Sequence, residues 1–307
     1  MTRFVAARAG GAAAVLAAIS LFVAFGIRLT GDPAVAMFEG AGAPSVQDVQ
    51  RMHQALGTDR PFLVQYAAFA GAALRGDLGT SFRSGEPVSA LIAARAGATL
   101  ALAVGGMAVA LAVAFPLGTY AAMHRDALAD FLIRVGSLLG LSFPNFWLAI
   151  MLILIFAVRV RWFPPSGYSG PASLVLPCLT LGVILASTLV RLVRASLLDT
   201  LGQPYIRTAR AKGMPERLVI VRHGLRNALL PVVTFIGLQF GGLLGGVVIL
   251  ENVFAWPGLG QLALEAVSYR DYPVVQGVVV VLALGVVAVN LLVDLSYGLL
   301  NPRVRVG

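Results

Sequence analysis

One cysteine and one lysine occur in 307 residues. The single thiol, Cys178, excludes an internal disulfide and a cysteine metal cluster. It stands beside Pro177 in an apolar run, where a small soft side chain fills space. The single lysine, Lys212, is followed by Gly213, so the Gly-Lys-Ser/Thr end of a phosphate-cradling loop is missing. Any ATP hydrolysis must come from another polypeptide. The three histidines, His53, His124 and His223, are scattered, and no HExxH motif occurs. Gly167-Tyr168-Ser169-Gly170 is not a nucleophile elbow, and no apolar run carries the paired acids or Ser with His of an intramembrane protease. No catalytic residue and no metal ligand is therefore expected. Charge is scarce too: 12% of residues are charged, where a soluble domain carries about 25%. With 58% hydrophobic residues and a mean hydropathy of +0.86, the composition is that of an all-α, multispan membrane protein.

Six apolar runs are long enough to cross a bilayer, which takes about 20 residues. The first is expected at about 9–29, an uncleaved span and not a signal peptide, ending at Gly31-Asp32-Pro33. The others are 96–123, broken by Gly105, Gly106 and Pro116; 135–158, with Pro144, Asn145 and Trp147 inside it; a run from about Ser173 to Val190; the Gly-rich 227–250; and 272–293. Residues 32–95 form the one long polar stretch. Within it Pro61 starts a helix over 61–74, where Phe62, Tyr66, Phe69 and Ala73 fall at helical spacing and predict an amphipathic helix on the membrane surface or against the spans. In 251–271, Pro257-Gly258 and Gly260 make a turn, 261–267 can form helical turns, and Trp256, Tyr269 and Tyr272 fit an interfacial aromatic belt. The chain thus divides into 1–95, the first span and its loop, and 96–307, a five-span core.

The net charge of +9 has a one-sided origin. The exposed segments on the side of the termini carry fourteen basic residues and five acids, and the other side nine of each. Lys/Arg bias places the termini, with Arg3, Arg8, Arg303 and Arg305, in the cytoplasm and the 32–95 loop outside. Topology accounts for the positive excess, so no nucleic-acid stripe remains. Six of the fourteen lie in one island, residues 205–231: Arg207, Arg210, Lys212, Arg217, Arg222 and Arg226, against the single acid Glu216. Gly213 ends one helix and Pro215 opens the next. The expectation is a charged elbow, with a short first arm and a longer second arm that enters a span.

The stretch YIRTARAKG with RHGLRNALLP resembles the EAA loop of the B-type permease subunits of bacterial ABC importers for dipeptides, oligopeptides and nickel. Arg207, Thr208 and Ala209 stand where the general pattern has Glu-Ala-Ala, Gly213 matches its glycine, and Leu225-Arg226 stands at its closing Leu-Pro. LGTDRPFLVQY, RGDLGTSF, ENVFAWPGLG, YRDYPVVQG and NLLVDLSYGLLNPRVR resemble the same subgroup. The resemblance implies a type I ABC importer permease fold in the bacterial inner membrane, with a long extracytoplasmic loop after the first span. It implies a cytoplasmic coupling loop at 195–227, whose residues Tyr205, Arg207, Thr208, Ala209, Arg210, Ala211, Lys212 and Gly213 dock on an ATPase subunit. It further implies a second homologous permease, two ATPases or one fused ATPase that use ATP and Mg, and an extracytoplasmic substrate-binding protein. This chain itself would bind no cofactor.

Polar residues in the apolar runs are the candidates for the translocation path or gate: Asn145, Ser187, Thr234, Gln239, Asn290 and Asp294. Interhelical hydrogen bonding is the competing role. Asp294, at the cytoplasmic end of the sixth run, is the one acid associated with these runs; acids there usually have partners, and Arg191 or Arg194 at the matching end of the fourth span is the expected one. The substrate class is di- or oligopeptide, with glutathione or nickel as alternatives; the lack of His and Cys clusters counts against nickel. An autonomous secondary transporter would carry inverted repeats or midplane acids, and neither is seen.

Overall fold

The computed structural model describes the backbone of residues 2–38 and 44–300, and the side chains of 10–38, 44–229, 231–243 and 247–292. The side chain of Asp294 and those of Arg3, Arg8, Arg303 and Arg305 lie outside the described residues. Fourteen α-helices follow in order, and no strand occurs among the described residues. Helix α1 (Thr2–Leu29) is followed by the short α2 (Pro33–Ala36), capped by the Asp32 carboxylate at the Ala34 amide. Helix α3 (Val46–Leu56) begins with a reciprocal Ser45–Asp48 capping box and ends at left-handed Gly57. Helix α4 (Phe62–Ala73) starts after Pro61, as expected. Helix α5 (Val88–Met123) runs for 36 residues straight through Gly105, Gly106 and Pro116. The glycines expected to break it instead give close approach to a neighbour: a Cβ on Gly106 would stand 2.5 Å from Leu181, and one on Gly105 would run into Cys178; Gly118, further along, comes equally close, 2.8 Å from the Val190 carbonyl.

The third apolar run is not one straight span. Helix α6 (Leu128–Ser142) ends at extended Phe143, because the residue before a proline is driven out of helical geometry. Pro144 then opens α7 (Asn145–Leu152), at 101° to α6, which continues into a π-helical stretch, Ile153–Arg159. Helix α8 (Val175–Leu201) follows a 3-10 turn, Pro171–Leu174. Then come α9 (Pro204–Ala211), α10 (Glu216–Leu218), a second π-helical stretch (Val219–Leu225), α11 (Arg226–Gly246), α12 (Val248–Val253), α13 (Leu259–Ser268) and α14 (Tyr272–Leu300). Four helices of the described residues are long and apolar enough to cross a membrane, and six spans result if each bent pair counts as one.

Two compact units emerge. One comprises residues 1–99 and 257–287. Its core joins Ile27, Val88, Ile92, Leu259, Leu262, Tyr272, Val275 and Val278. There the buried Asp271 carboxylate accepts from the Ser81 hydroxyl at 2.5 Å and the Phe82 amide at 3.1 Å, which ties the 79–87 turn to the start of α14. Helix α4 packs on α1: Phe62 meets Phe25 edge-on at 5.9 Å, and the Tyr66 hydroxyl lies 2.8 Å from that of Ser20. Its opposite face carries exposed Leu63 and Val64, so α4 is apolar all round and not amphipathic. The aromatic belt also needs correction. Tyr272 is a core residue, whereas Tyr269 is exposed, with the Arg83 guanidinium over its ring.

The other unit comprises residues 100–256 and 288–307. Here Trp256 is 2% exposed, packed by the edge of Tyr168 at 5.4 Å. It is an internal anchor and no belt residue. Helices α6 and α8 are antiparallel neighbours, held at one end by Asp130 with Arg194 and further along by Gly140 against Ser187.

Candidate functional site

The elbow after α8 is built from a small core outward. Gln203 is extended, and Pro204 supplies the first helical residue of α9. Ile206 and Ala209, three apart on one face, turn inward onto Val219, with Leu201 and Met214 around them. Ile206 and Val219 are fully buried. The opposite face presents Tyr205, Arg207, Thr208, Arg210 and Ala211, and beyond it Lys212 and Gly213, all exposed. All six basic residues of the island are exposed.

Three features fix the turn. Gly213 has φ +75°, a left-handed conformation that side chains resist. Its amide and that of Met214 donate back to the Arg210 and Ala209 carbonyls at 2.9 and 3.4 Å. Across the turn the Arg210 guanidinium makes a two-pronged pair with Glu216, Nε to Oε2 at 3.1 Å and NH2 to Oε1 at 2.6 Å. These bonds hold the Arg210 guanidinium above its ordinary pKa. A third tie joins the first arm to α11, where the Asn227 amide donates to the Tyr205 hydroxyl at 2.8 Å. The second arm passes through the π-helical stretch, whose Gly224 lies against Leu197 of α8. Arg207, Lys212 and Arg217 have no ion pair among the described residues, so the elbow presents open positive charge on a braced scaffold. The Arg210–Glu216 pair spans six positions with a glycine and a proline between, and no helical spacing signals it in the sequence. Ile206 and Ala209 could have been found from their spacing opposite the charges.

The intramembrane candidates are dispersed. Asn145 is exposed at the start of α7 and makes no side-chain hydrogen bond among the described residues. Ser187 is buried against Gly140, its hydroxyl donating to the Val183 carbonyl at 2.8 Å. Thr234, Gln239 and Asn290 are half-buried. One of the two expected partners of Asp294, Arg194, is engaged elsewhere. Arg194 grips Asp130 through Nε and NH2 at 2.5 and 2.6 Å, and Arg134 adds a longer contact at 3.5 Å. Asp130 is fully buried, and the pairing satisfies a carboxylate that isolation would make costly. It escaped the sequence reading because Asp126 and Asp130 looked like loop acids.

The comparisons with known proteins bear on the whole chain. The family profile described as binding-protein-dependent transport system inner membrane component matches residues 114–306, and the profile of its N-terminal part matches 1–103. A Brucella ovis protein named as a peptide permease is 41% identical over 304 residues, covering 95% of each chain. The glutathione transport system permease protein GsiC of Pectobacterium atrosepticum is 44% identical over 295 residues, covering 95% of this chain and 94% of that one. Among solved structures, a chain of the MetNI methionine ABC transporter in an inward-facing conformation aligns with a TM-score of 0.59 at 20% identity, over 69% of this chain and 96% of that one. The last likeness carries the fold; the others carry the family. The chain belongs to the inner-membrane permease components of binding-protein-dependent ABC importers, and is a multi-pass inner-membrane protein with the type I importer permease fold.

Proposed function

We propose that this permease subunit forms half of a path for di- or oligopeptides and is driven by separate ATPase subunits through the 205–213 elbow. The braced geometry of that elbow carries the reading. A loop that must transmit force needs a fixed shape, and Gly213, the Arg210–Glu216 pair and the Tyr205–Asn227 tie supply it. Arg207, Thr208, Arg210, Ala211 and Lys212 face the ATPase, with Ala209 holding the arm to its small core. ATP and Mg act on the ATPase subunits, two chains or one fused chain. A second homologous permease completes the path, and an extracytoplasmic protein delivers the substrate. The elbow and both termini are cytoplasmic, in keeping with the basic excess on that side. Asn145, Thr234, Gln239, Asn290 and Asp294 contribute to the path, with Ser187 backing its wall. The relatives' names support a peptide-like cargo, and glutathione is the second reading, favoured by the 44% identical GsiC.

Purification of the tagged chain in mild detergent, with mass spectrometry of the co-purifying chains, tests the assembly. A second permease and ATPase subunits are expected. Gly213→Val should then leave insertion intact and uncouple hydrolysis from uptake. A monodisperse chain that purifies alone, with uptake unchanged after deletion of 207–213, would overturn the reading.

A further inference from the structure

The 101° break between α6 and α7 interrupts a helix pair that together is long and apolar enough to cross a membrane. Helix α8 serves as the ruler. Gly140 packs on Ser187, four residues inward from Arg191, and α6 then continues for three residues to Phe143. At 1.5 Å per residue the break is about 10 Å inward from Arg191, within a hydrocarbon core about 30 Å thick. Yet residues 141–147 are exposed without interruption. They include Asn145, whose carboxamide has no partner among the described residues. The first helical bond of α7 runs from the Leu148 amide to the Pro144 carbonyl, so the amides of Asn145, Phe146 and Trp147 precede it. Pro144 has no amide to offer the end of α6. Open backbone groups at this depth are tolerated only against protein or in a water-filled cavity, and not against lipid.

Two aromatic rings flank the break. Phe143 and Trp147 stack with centroids 4.7 Å apart and planes 14° from parallel, and Phe146 is exposed beside them. We propose that the break at 143–145 faces the translocation path, and that the Phe143–Trp147 ring pair is its apolar constriction. This rests on the importer reading. Apolar rings stacked on the wall of a narrow wet passage close it by excluding water. Asn145, directly beside them, offers a donor and an acceptor to the amide groups of a passing peptide. The 101° bend is what aims a mid-span segment away from the α6 axis. The constriction is therefore placed by Pro144 and by the extended residue before it.

The test uses the assembled complex in proteoliposomes, with Cys178→Ala removing the chain's one thiol and Asn145→Cys adding a reporter. Two reagents are compared by mass shift of this chain: a charged, membrane-impermeant methanethiosulfonate and the lipid-permeant N-ethylmaleimide. The charged reagent should modify the reporter, and Trp147→Ala should speed that reaction about tenfold, in line with losing one aromatic pair. Phe143→Leu, which keeps bulk but removes the stack, should act in the same direction and guards against misfolding of the Trp147 variant. Modification by N-ethylmaleimide alone would mean a site that the charged reagent cannot reach. Protection from both reagents would place the break in lipid or against a partner, where the thiol stays protonated and unreactive. An unchanged rate in both ring variants would remove the constriction. Each of these overturns the proposal. ATP hydrolysis by the same preparation separates the outcomes: if the chain captures and stimulates its ATPase while the reporter stays sealed, only the constriction fails.

Discussion

Gly213 offers the sharpest test of how the elbow works, because its backbone and its surroundings point in different directions. With φ at +75°, an L side chain is disfavoured there whatever surrounds it. A Cβ at this position meets nothing within 4 Å in the chain, so no steric term adds to the backbone cost. That cost is about 1–2 kcal/mol for a residue such as alanine, and smaller for asparagine. It corresponds to about a 5–30-fold fall in the population of the native elbow. The assay is uptake per ATP hydrolysed, measured on the assembled complex in proteoliposomes at matched subunit content. Gly213→Asn should couple nearly as well as the parent, Gly213→Ala less well, and Gly213→Val least. If Val coupled as well as Asn, backbone shape would not limit coupling and the reasoning would fail. If Asn failed as completely as Val, the fault would lie at the docking surface, where any side chain obstructs the partner.

Three further outcomes follow from packing and charge. Arg194→Ala leaves a fully buried Asp130 with only the longer Arg134 contact as an ion pair and should cost up to about 3–5 kcal/mol, read as a lower melting temperature in detergent; the apolar pair Asp130→Leu with Arg194→Met should lose less, and equal melting of Arg194→Ala and the parent would refute the pairing. Gly118→Ala should destabilise by about 1–3 kcal/mol through overpacking, since the new methyl meets the Val190 carbonyl, whereas Gly97→Ala on the same helix meets nothing and should melt no lower than the parent. The Ser45 hydroxyl, then the Ser45 amide, hold the Asp48 carboxyl below its ordinary pKa. Its folded value lies below its unfolded one, so its support of α3 is present above the unfolded value and is lost as pH falls through the folded one. The protection of amides 46–56, taken relative to their intrinsic exchange rates, should fall on acidification, and Ser45→Ala, which leaves the backbone amide in place, should weaken that pH dependence; a variant that kept it in full would show that another group is responsible.

The membrane class, the apolar runs and the place of the elbow were legible in the sequence, because each rests on local chemistry. A run of some twenty apolar residues has one favourable environment. Gly213 and Pro215 carry their backbone geometry wherever they stand. Asn145 after Pro144 already marked a weak point in the third run, but not the 101° turn there. That angle depends on how α6 and α7 each find a surface on α8, which no single run encodes. The same reason hid Asp130: its partner Arg194 is 64 residues away, and a loop acid and a buried one look alike until helices are placed. Gly105 and Gly106 read as breaks for want of a neighbour, and became contacts once α8 supplied one. Trp256 read as a belt residue because amphipathic rings favour interfaces, yet Tyr168 and the 251–256 turn enclose it. The sequence by itself determined what must leave water and where the chain must turn. Tertiary structure decided which charges pair, which glycines touch and which break stays open, because those depend on contacts between residues far apart in the chain.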